Sequence, residues 1–517
     1  MPVSNTNFPA TSATISMIPL TKISRRHALK SLATSGLLVP AAPLLLPVHT
    51  AQPPAGPGAE LGYSFRDVAR TAGITARNYY GGETSKKYII EANGCGVAFF
   101  DYDQDGWLDI FLLNGWRLEG FPEGQEPTNH LFHNNRDGKL DLFVSNYLVF
   151  DPKTAPDPGS NPYCIYRGLA VNCGPRGLQS ETNLLYHNNG DGTFADISER
   201  SGISTVSGNY GLGVLVGDFD NDGWPDVYVA NDDTPCVLFH NQHNGTFKDT
   251  GVLAGVAFDA NGRVTAGMGV AAADYDCDGW LDIFRTNFSD EIPTLYQNNG
   301  DGSFTDVTYP AGVADYTLFV GWGCGFLDPD NDGWADIFYC NGHVYPELAR
   351  AHTGVPYLAP RVLYRNLGNG RFQDVSKRAG GCITTPSSGR GCAFGDFDND
   401  GDPDIVINNM NDFPSLLRCD RTNENHWITI QAIGTKSNRS AIGARLKCVT
   451  GNHAQIDEVR SGGSYLSQND LRIHFGLGTA KMIDLLEVRW PSGITDTFRK
   501  LPADRFIEVR EGSSRRK

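Results

Sequence analysis

The stretch Asp274–Asp282, DYDCDGWLD, is one of five copies of a single pattern, Asp-x-Asp-x-Asp-Gly-x-x-Asp. The others are Asp101–Asp109 (DYDQDGWLD), Asp218–Asp226 (DFDNDGWPD), Asp328–Asp336 (DPDNDGWAD) and Asp396–Asp404 (DFDNDGDPD). A second pattern, Asn-x-x-(Asp/Asn)-Gly-x-Phe-x-Asp, begins at Asn188, Asn241, Asn298 and Asn366, and runs 30, 33, 30 and 30 residues ahead of the next loop. The module is therefore fixed, and a period of 54 to 68 residues between neighbouring intact loops points to a propeller or solenoid. Around Asp274–Asp282 the apolar run Gly267–Ala273 leads in and Leu281–Phe284 leads out, so the loop joins two strands. The Asn-Gly-Asp-Gly segments read as tight turns, because Asn and Gly tolerate positive φ. Turns this frequent, with no amphipathic helical stretch, make the chain all-β, and closing four-stranded blades into a ring leaves no long sheet edge.

The loop chemistry points to calcium. Carboxylates at positions 1, 3 and 5 converge, the glycine at 6 permits the sharp turn, the carbonyl at 7 adds an oxygen and Asp at 9 closes the site. The expected ligands are Asp101, Asp103, Asp105, Trp107 and Asp109; Asp218, Asp220, Asp222, Trp224 and Asp226; Asp274, Asp276, Asp278, Trp280 and Asp282; Asp328, Asp330, Asp332, Trp334 and Asp336; and Asp396, Asp398, Asp400, Asp402 and Asp404. Residues at position 7 serve through the backbone, and their tryptophan side chains are expected to pack the blade. Magnesium demands stricter octahedral geometry and keeps its waters, so calcium is the expected ion. Metal-free Asx turns are the alternative for any one loop, but crowded aspartates repel one another without a cation.

Composition agrees. The net charge is −16, and the first 51 residues hold four basic side chains (Lys22, Arg25, Arg26, Lys30) and no acid, so the remainder carries −20. Five loops of four aspartates supply 20 acids, so the acidity is largely a ligand count. It also argues against nucleic acid, which needs clustered Lys and Arg. Residues 1–51 read as a twin-arginine signal peptide: Ser24-Arg25-Arg26-His27-Ala28-Leu29-Lys30, an apolar stretch to Val48, then a small-residue exit. Residues 52–62 read as a linker, and a periplasmic or extracellular location is expected. No segment approaches about 18 consecutive apolar residues, so no transmembrane span is expected. Among the 11 cysteines, Cys164 and Cys173 are the best disulfide candidate and Cys382 and Cys392 the second.

The two motifs together resemble FG-GAP/VCBS repeats, as in integrin α-subunit propellers. Ser440–Arg445, Glu458–Gln468, His474–Gly478 and Arg489–Gly493 resemble the ASPIC/UnbV domain of bacterial relatives of cartilage acidic protein. The resemblance covers about Tyr63 to Val509 and implies a calcium-binding propeller over 63–420 followed by a β-rich module over 427–510; it supplies no catalytic residues. Read from their own pattern, residues 427–510 form short strands of a small sandwich, with Arg460–Ser464 expected to be a structural turn and a binding turn the alternative.

The first two intact loops lie 117 residues apart, about two periods. The unit between them begins at Leu131 and ends at Tyr147, with Gly138 serving as the glycine of both motifs. In the next unit those two glycines, Gly192 and Gly223, are 31 apart, so about 31 residues are inferred to be missing. His133–Asp141 keeps a degenerate sixth loop. Six recognisable units give six blades, or the preferred seven if N-terminal strands and Leu416–Arg418 complete another. Residues 149–179 read as an insertion loop and a candidate recognition element.

His133, His187 and His240 precede the repeat's Asn, where Gln297 and Arg365 stand in other units, so the position reads as structural. GxSxG, HExxH and P-loop motifs are absent from the sequence. The expected function is a binding or adhesion scaffold with a protein or glycan ligand; the alternative is a secreted polysaccharide-acting enzyme with its site on the propeller.

Overall fold

A computed structural model describes residues 61–74, 77–100, 108–113, 140–189 and 193–515. Six antiparallel sheets form the blades of a β-propeller. Blade A holds Val97–Phe100 and Asp109–Leu112; blade B holds Leu142–Val144, Leu184–Asn188 and Phe194–Asp196. Blades C, D and E are complete four-stranded sheets spanning Gly211–Asp249, Val270–Asp306 and Gly321–Asp374. Blade F uses Gly389–Gly395, Asp404–Asn409 and Ser415–Arg421, and takes its outermost strand, Tyr63–Asp67, from the start of the described chain. The N-terminal strand and Leu416–Arg418 thus do meet, but inside the blade of the fifth loop. Six blades are therefore seen among the described residues, the smaller of the two expected counts.

The strand order explains the sequence pattern. Second strands such as Asp226–Asn231 (DVYVAN) lie between neighbouring blades and are buried on both faces, so they read as continuous apolar runs. Four hydrophobic clusters are shared by adjacent blades: Leu185 and Phe239 join B to C, Tyr228 and Ile283 join C to D, Phe284 and Tyr339 join D to E, and Phe99 and Val406 join A to F. The inner strands crowd the axis: a Cβ on Gly269 would stand 2.0 Å from the carbonyl of Trp322 on the next blade.

Blade B ends as the repeat requires. Asp141 accepts the Asn188 N–H at 2.9 Å, as Asp226 accepts that of Asn241 at 2.8 Å in blade C. The segment 114–139, where the shortened unit begins, lies outside the described residues.

Residues 426–510 fold as two packed sheets, one of Ile473–Gly478, His426–Ile433 and Arg505–Arg510, the other of His453–Glu458, Arg445–Thr450, Met482–Arg489 and Thr495–Pro502. Ile428, Leu446, Phe475, Leu486 and Trp490 fill the space between. Thr495–Pro502 (TDTFRKLP) escaped the sequence reading because its polar, largely exposed face hides the strand alternation.

The turn at Arg460–Ser464 is the base of a finger that enters the propeller axis. Residues 462–468 bridge to the innermost strands of three blades, at Leu215, Val270 and Ala98. At its tip Tyr465 is fully buried, edge-on to Trp322 at 4.8 Å, with its hydroxyl donating to the Asn93 carbonyl at 2.7 Å. Residues 149–179 cover the other end. Cys164 and Cys173 are bonded (Sγ–Sγ 2.08 Å), and Val171 is buried in the cluster that holds Tyr465. Tyr166 packs on His343 and Tyr345 at 5.0 and 5.3 Å. Cys382 and Cys392 remain separate thiols: Cys382 donates to the Phe65 carbonyl, while Cys392 faces Ser464 from an inner strand.

Candidate metal centres

Four of the five loops are described, and each closes the same way. In blade D, Asp274 accepts the N–H of Asp278 at 2.9 Å and of Gly279 at 3.0 Å, and Asp278 accepts that of Trp280 at 2.9 Å. Blade C repeats this with Asp218, Asp222 and Trp224, blade E with Asp328, Asp332 and Trp334, and blade F with Asp396, Asp400 and Asp402. The fourth position is left-handed throughout, at Asn221, Cys277, Asn331 and Asn399 (φ 60, 59, 54 and 54°). Asp101, Asp103, Asp105 and Trp107 lie outside the described residues; Asp109 begins its strand in blade A.

These turns bring carboxylates from distant positions together. Ligand-type oxygens of Asp274, Asp276 and Asp282 lie within 4.8 Å of one another, as do those of Asp396, Asp398 and Asp404, of Asp328, Asp330 and Asp332, and of Asp218, Asp220 and Asp222. Asp226 joins Asp220 and His240 in a further group. The ninth-position aspartates are anchored from the third strand: Asp282 accepts the N–H of Asn298 at 2.8 Å and Asp336 that of Asn366 at 2.7 Å. That Asn then staples blades, its Nδ2 donating from Asn298 to Phe219 O (2.8 Å) and from Asn366 to Tyr275 O (2.8 Å) in the preceding loop.

Burial pushes Asp274 and Asp396 up to about 7, with Asp278 and Asp400 respectively adding repulsion. It holds Asp282, Asp328, Asp336 and Asp404 well above the usual carboxylate range for the same two reasons. Hydrogen bonding leaves one oxygen of each third-position carboxylate unrelieved. The Oδ1 atoms of Asp276, Asp330 and Asp398 are buried and meet no hydrogen-bond partner, although Asp330 is only 2% exposed. An orphaned carboxylate oxygen inside a group of acids is costly unless a cation faces it, so the donor set fits a hard, oxygen-seeking metal ion.

The tryptophans lie outside this convergence. Trp280 covers Gly300, Trp334 covers Gly368 and the His453 ring, and Trp224 stacks on His243. Asp402 turns its carboxylate to Arg421 Nε at 2.6 Å, so its side chain is not one of the converging groups. The position expected to be structural has a specific structural role. The position before the repeat's Asn reaches into the acids: His240 Nδ1 lies 3.1 Å from Asp226, Gln297 donates to Asp276 at 2.6 Å, and Arg365 pairs with Asp330 at 2.6 Å. Arg418 approaches Asp398 at 4.0 Å in blade F, and His187 meets Asp141 in blade B. Every occupant can donate a hydrogen bond, and that shared property was the available signal.

This arrangement of blades and acidic loops defines an FG-GAP-like repeat protein carrying an ASPIC and UnbV domain. Residues 176–229, 218–285 and 341–407 match the FG-GAP-like repeat, and residues 434–516 match the ASPIC and UnbV family. The chain is 28% identical to cartilage acidic protein 1 of Mus musculus over 428 residues, covering 78% of this chain and 62% of that protein. It is 27% identical to the Homo sapiens protein over 428 residues, with 78% and 60% covered. The chain thus spans about 60% of the length of these relatives. Among solved structures, an Agrocybe aegerita lectin described for recognition of non-reducing terminal N-acetylglucosamine is 18% identical (TM-score 0.29; 61% of this chain and 71% of that chain covered). YCF48 bound to D1 peptide is 7% identical (TM-score 0.32; 68% and 94% covered). Among the described residues no helix is long and apolar enough to cross a membrane.

Proposed function

We propose that the protein is an exported, calcium-stiffened propeller that acts as a binding or adhesion scaffold for a protein or glycan partner. The observation that carries the calcium reading is the buried, unpartnered Oδ1 of Asp330, repeated at Asp276 and Asp398. The ion supplies the positive charge that lets four acids per loop stay ionised together. The chain supplies the geometry: position 1 shapes the loop through the N–H groups of positions 5 and 6, and position 9 is held by the third strand. The Asp101–Asp109 loop is assigned by the same pattern, whereas His133–Asp141 keeps two of four carboxylates and is expected to bind weakly or not at all.

The scaffold reading is supported by the apolar filling of the axis around the finger tip, where a propeller enzyme would gather scattered groups. Trp322, Met268 and Tyr465 are buried there in one cluster. A cavity nevertheless remains on the loop side, between the inner strands and Glu458, Arg460, Asp470 and His474. The partner surface this reading assigns is the end covered by 149–179, where a bonded hairpin displays Tyr163 and Ile165, 53% and 50% exposed. The twin-arginine route is supported by Arg25-Arg26, and export itself by the Cys164–Cys173 bond, which suits an oxidising compartment.

Calorimetric titration of the chelated protein tests the metal: several calcium sites are expected, and heating with chelator should give a much lower melting temperature. An unchanged melting temperature would refute it. Glycan arrays and pull-downs with and without chelator test the partner. Calcium-dependent cleavage of a polysaccharide would overturn the scaffold in favour of an enzyme.

A further inference from the structure

The C-terminal domain stands on the acidic loops. Arg445 Nη1 donates to Asp218 O at 3.2 Å and Nη2 to Gly279 O at 2.9 Å, so one guanidinium spans the loops of blades C and D. Glu458, paired with Arg445 at 2.9 Å, accepts the N–H of Asp218 at 3.2 Å. On blade E, His453 Nε2 lies 2.9 Å from Gly333 O and His474 Nε2 lies 2.6 Å from Asn331 Oδ1, while the Gly478 N–H donates to Asn331 O at 2.8 Å. On blade F, Arg472 donates to Asp396 O at 2.9 Å and to Asn399 Oδ1 at 2.7 Å. All these loop atoms belong to positions 1, 4 and 6. Those positions set the curve on which the carboxylates converge, yet the contacting atoms are not the converging oxygens. The fit is close: a Cβ on Gly476 would stand 1.9 Å from Asp328 Oδ2.

The same domain projects the finger. The N–H of Gly463 donates to Val214 O at 2.9 Å, that of Ser464 to Val270 O at 2.5 Å, and that of Gln468 to Val97 O at 3.0 Å. Domain seat and finger are therefore one rigid attachment, made at the loops and at the axis.

We infer that metal loading of the loops and seating of the C-terminal domain are a single coupled equilibrium. The inference rests on the calcium reading above and adds a regulatory role for the loops. A loop whose acids repel one another opens, and opening shifts the carbonyls at positions 1 and 6. Arg445 and Glu458, 8% and 3% exposed, then lose acceptor and donor while buried. A closed loop keeps those partners, and a seated domain holds the loop closed. Coupling of this kind is reciprocal: seating tightens metal binding by the same factor by which metal tightens seating. Calcium loss would release the finger and open the axis from the loop side.

Hydrogen exchange on the full chain tests this without mutation. The amides of Gly463, Ser464 and Gln468 should exchange at least about tenfold faster in chelator than in calcium, while those of Val362, Leu363 and Tyr364 in blade E change much less. The variant Arg445→Gln, whose side chain meets loop carbonyls rather than loop carboxylates, should weaken calcium binding in calorimetry by about tenfold at a subset of sites. If the wild-type chain binds calcium but finger exchange is unchanged by chelation, the coupling is overturned and the metal reading stands. Unchanged calcium affinity in a folded Arg445→Gln variant would also overturn the coupling. If the wild-type chain binds no calcium, the metal reading fails, and the coupling with it.

Discussion

Removing the Tyr465 ring should detach the finger while the blades stay folded. The side chain is fully buried and lies edge-on to Trp322 at 4.8 Å. A buried aromatic removes roughly 150–200 Å² from water, worth about 4–5 kcal/mol at about 25 cal/mol per Å². Truncating such rings to alanine in closed cores costs about 3–5 kcal/mol. Tyr465→Ala should therefore cost about 4 kcal/mol locally, an increase of nearly three orders of magnitude in the finger's opening equilibrium. Tyr465→Phe keeps the ring and loses only the bond from the hydroxyl to Asn93 O, at 2.7 Å, costing about 1 kcal/mol or about fivefold. Native-state hydrogen exchange at Gly463, Ser464 and Gln468, in calcium, reads both. A change below tenfold in Tyr465→Ala, or equal effects of the two variants, would show that the ring does not anchor the finger.

Asp330→Asn removes a charge from the blade E loop and should lower calcium stoichiometry by about one, with the other loops unaffected in the same titration. Burial opposes ionisation of Glu511, but the Ser492 hydroxyl and the N–H groups of Lys436, Ser437 and Thr435 prevail and hold it down at about 2. That depressed carboxyl contributes stability fully present above its ordinary value and lost as pH falls through about 2. Urea midpoints of Glu511→Gln should therefore fall less steeply than wild type between about pH 4.5 and pH 2. Opening the Cys164–Cys173 link, 9 residues apart, by the double serine variant should cost about 2.5 kcal/mol and speed tryptic cleavage at Arg167.

The blades were legible because each is built from local signals that repeat. Aspartate spacing marked the loops and their turning glycine, though not the left-handed fourth position, and the Asn that begins the second motif proved to hold both the ninth aspartate and the preceding blade. The donors before that Asn were harder to see: His240, Gln297 and Arg365 differ in size and charge, so their shared reach into the acids emerges only when third and second strands pair. The finger had no local signature at all. Arg460–Ser464 has the composition of any glycine turn, and its burial depends on Leu215, Val270 and Trp322, which are more than 130 residues away in sequence. Cys382 and Cys392 are close in sequence but belong to an outer turn and an inner strand, so sequence spacing misjudged their pairing.

The ring is closed by the first described strand, and this orders events in time. Arg66 meets Asp420 across 354 residues of chain. At about 5–20 residues per second, the N-terminal strand waits roughly 20–70 s after synthesis before its partner exists. Throughout that interval Tyr63–Asp67 has no sheet to join, and its alternating Tyr63 and Phe65 face water rather than blade F. Unpaired strands of this kind recruit other chains. Crowded synthesis should therefore favour copies that lend this strand to one another, giving domain-swapped dimers whose yield rises with expression level.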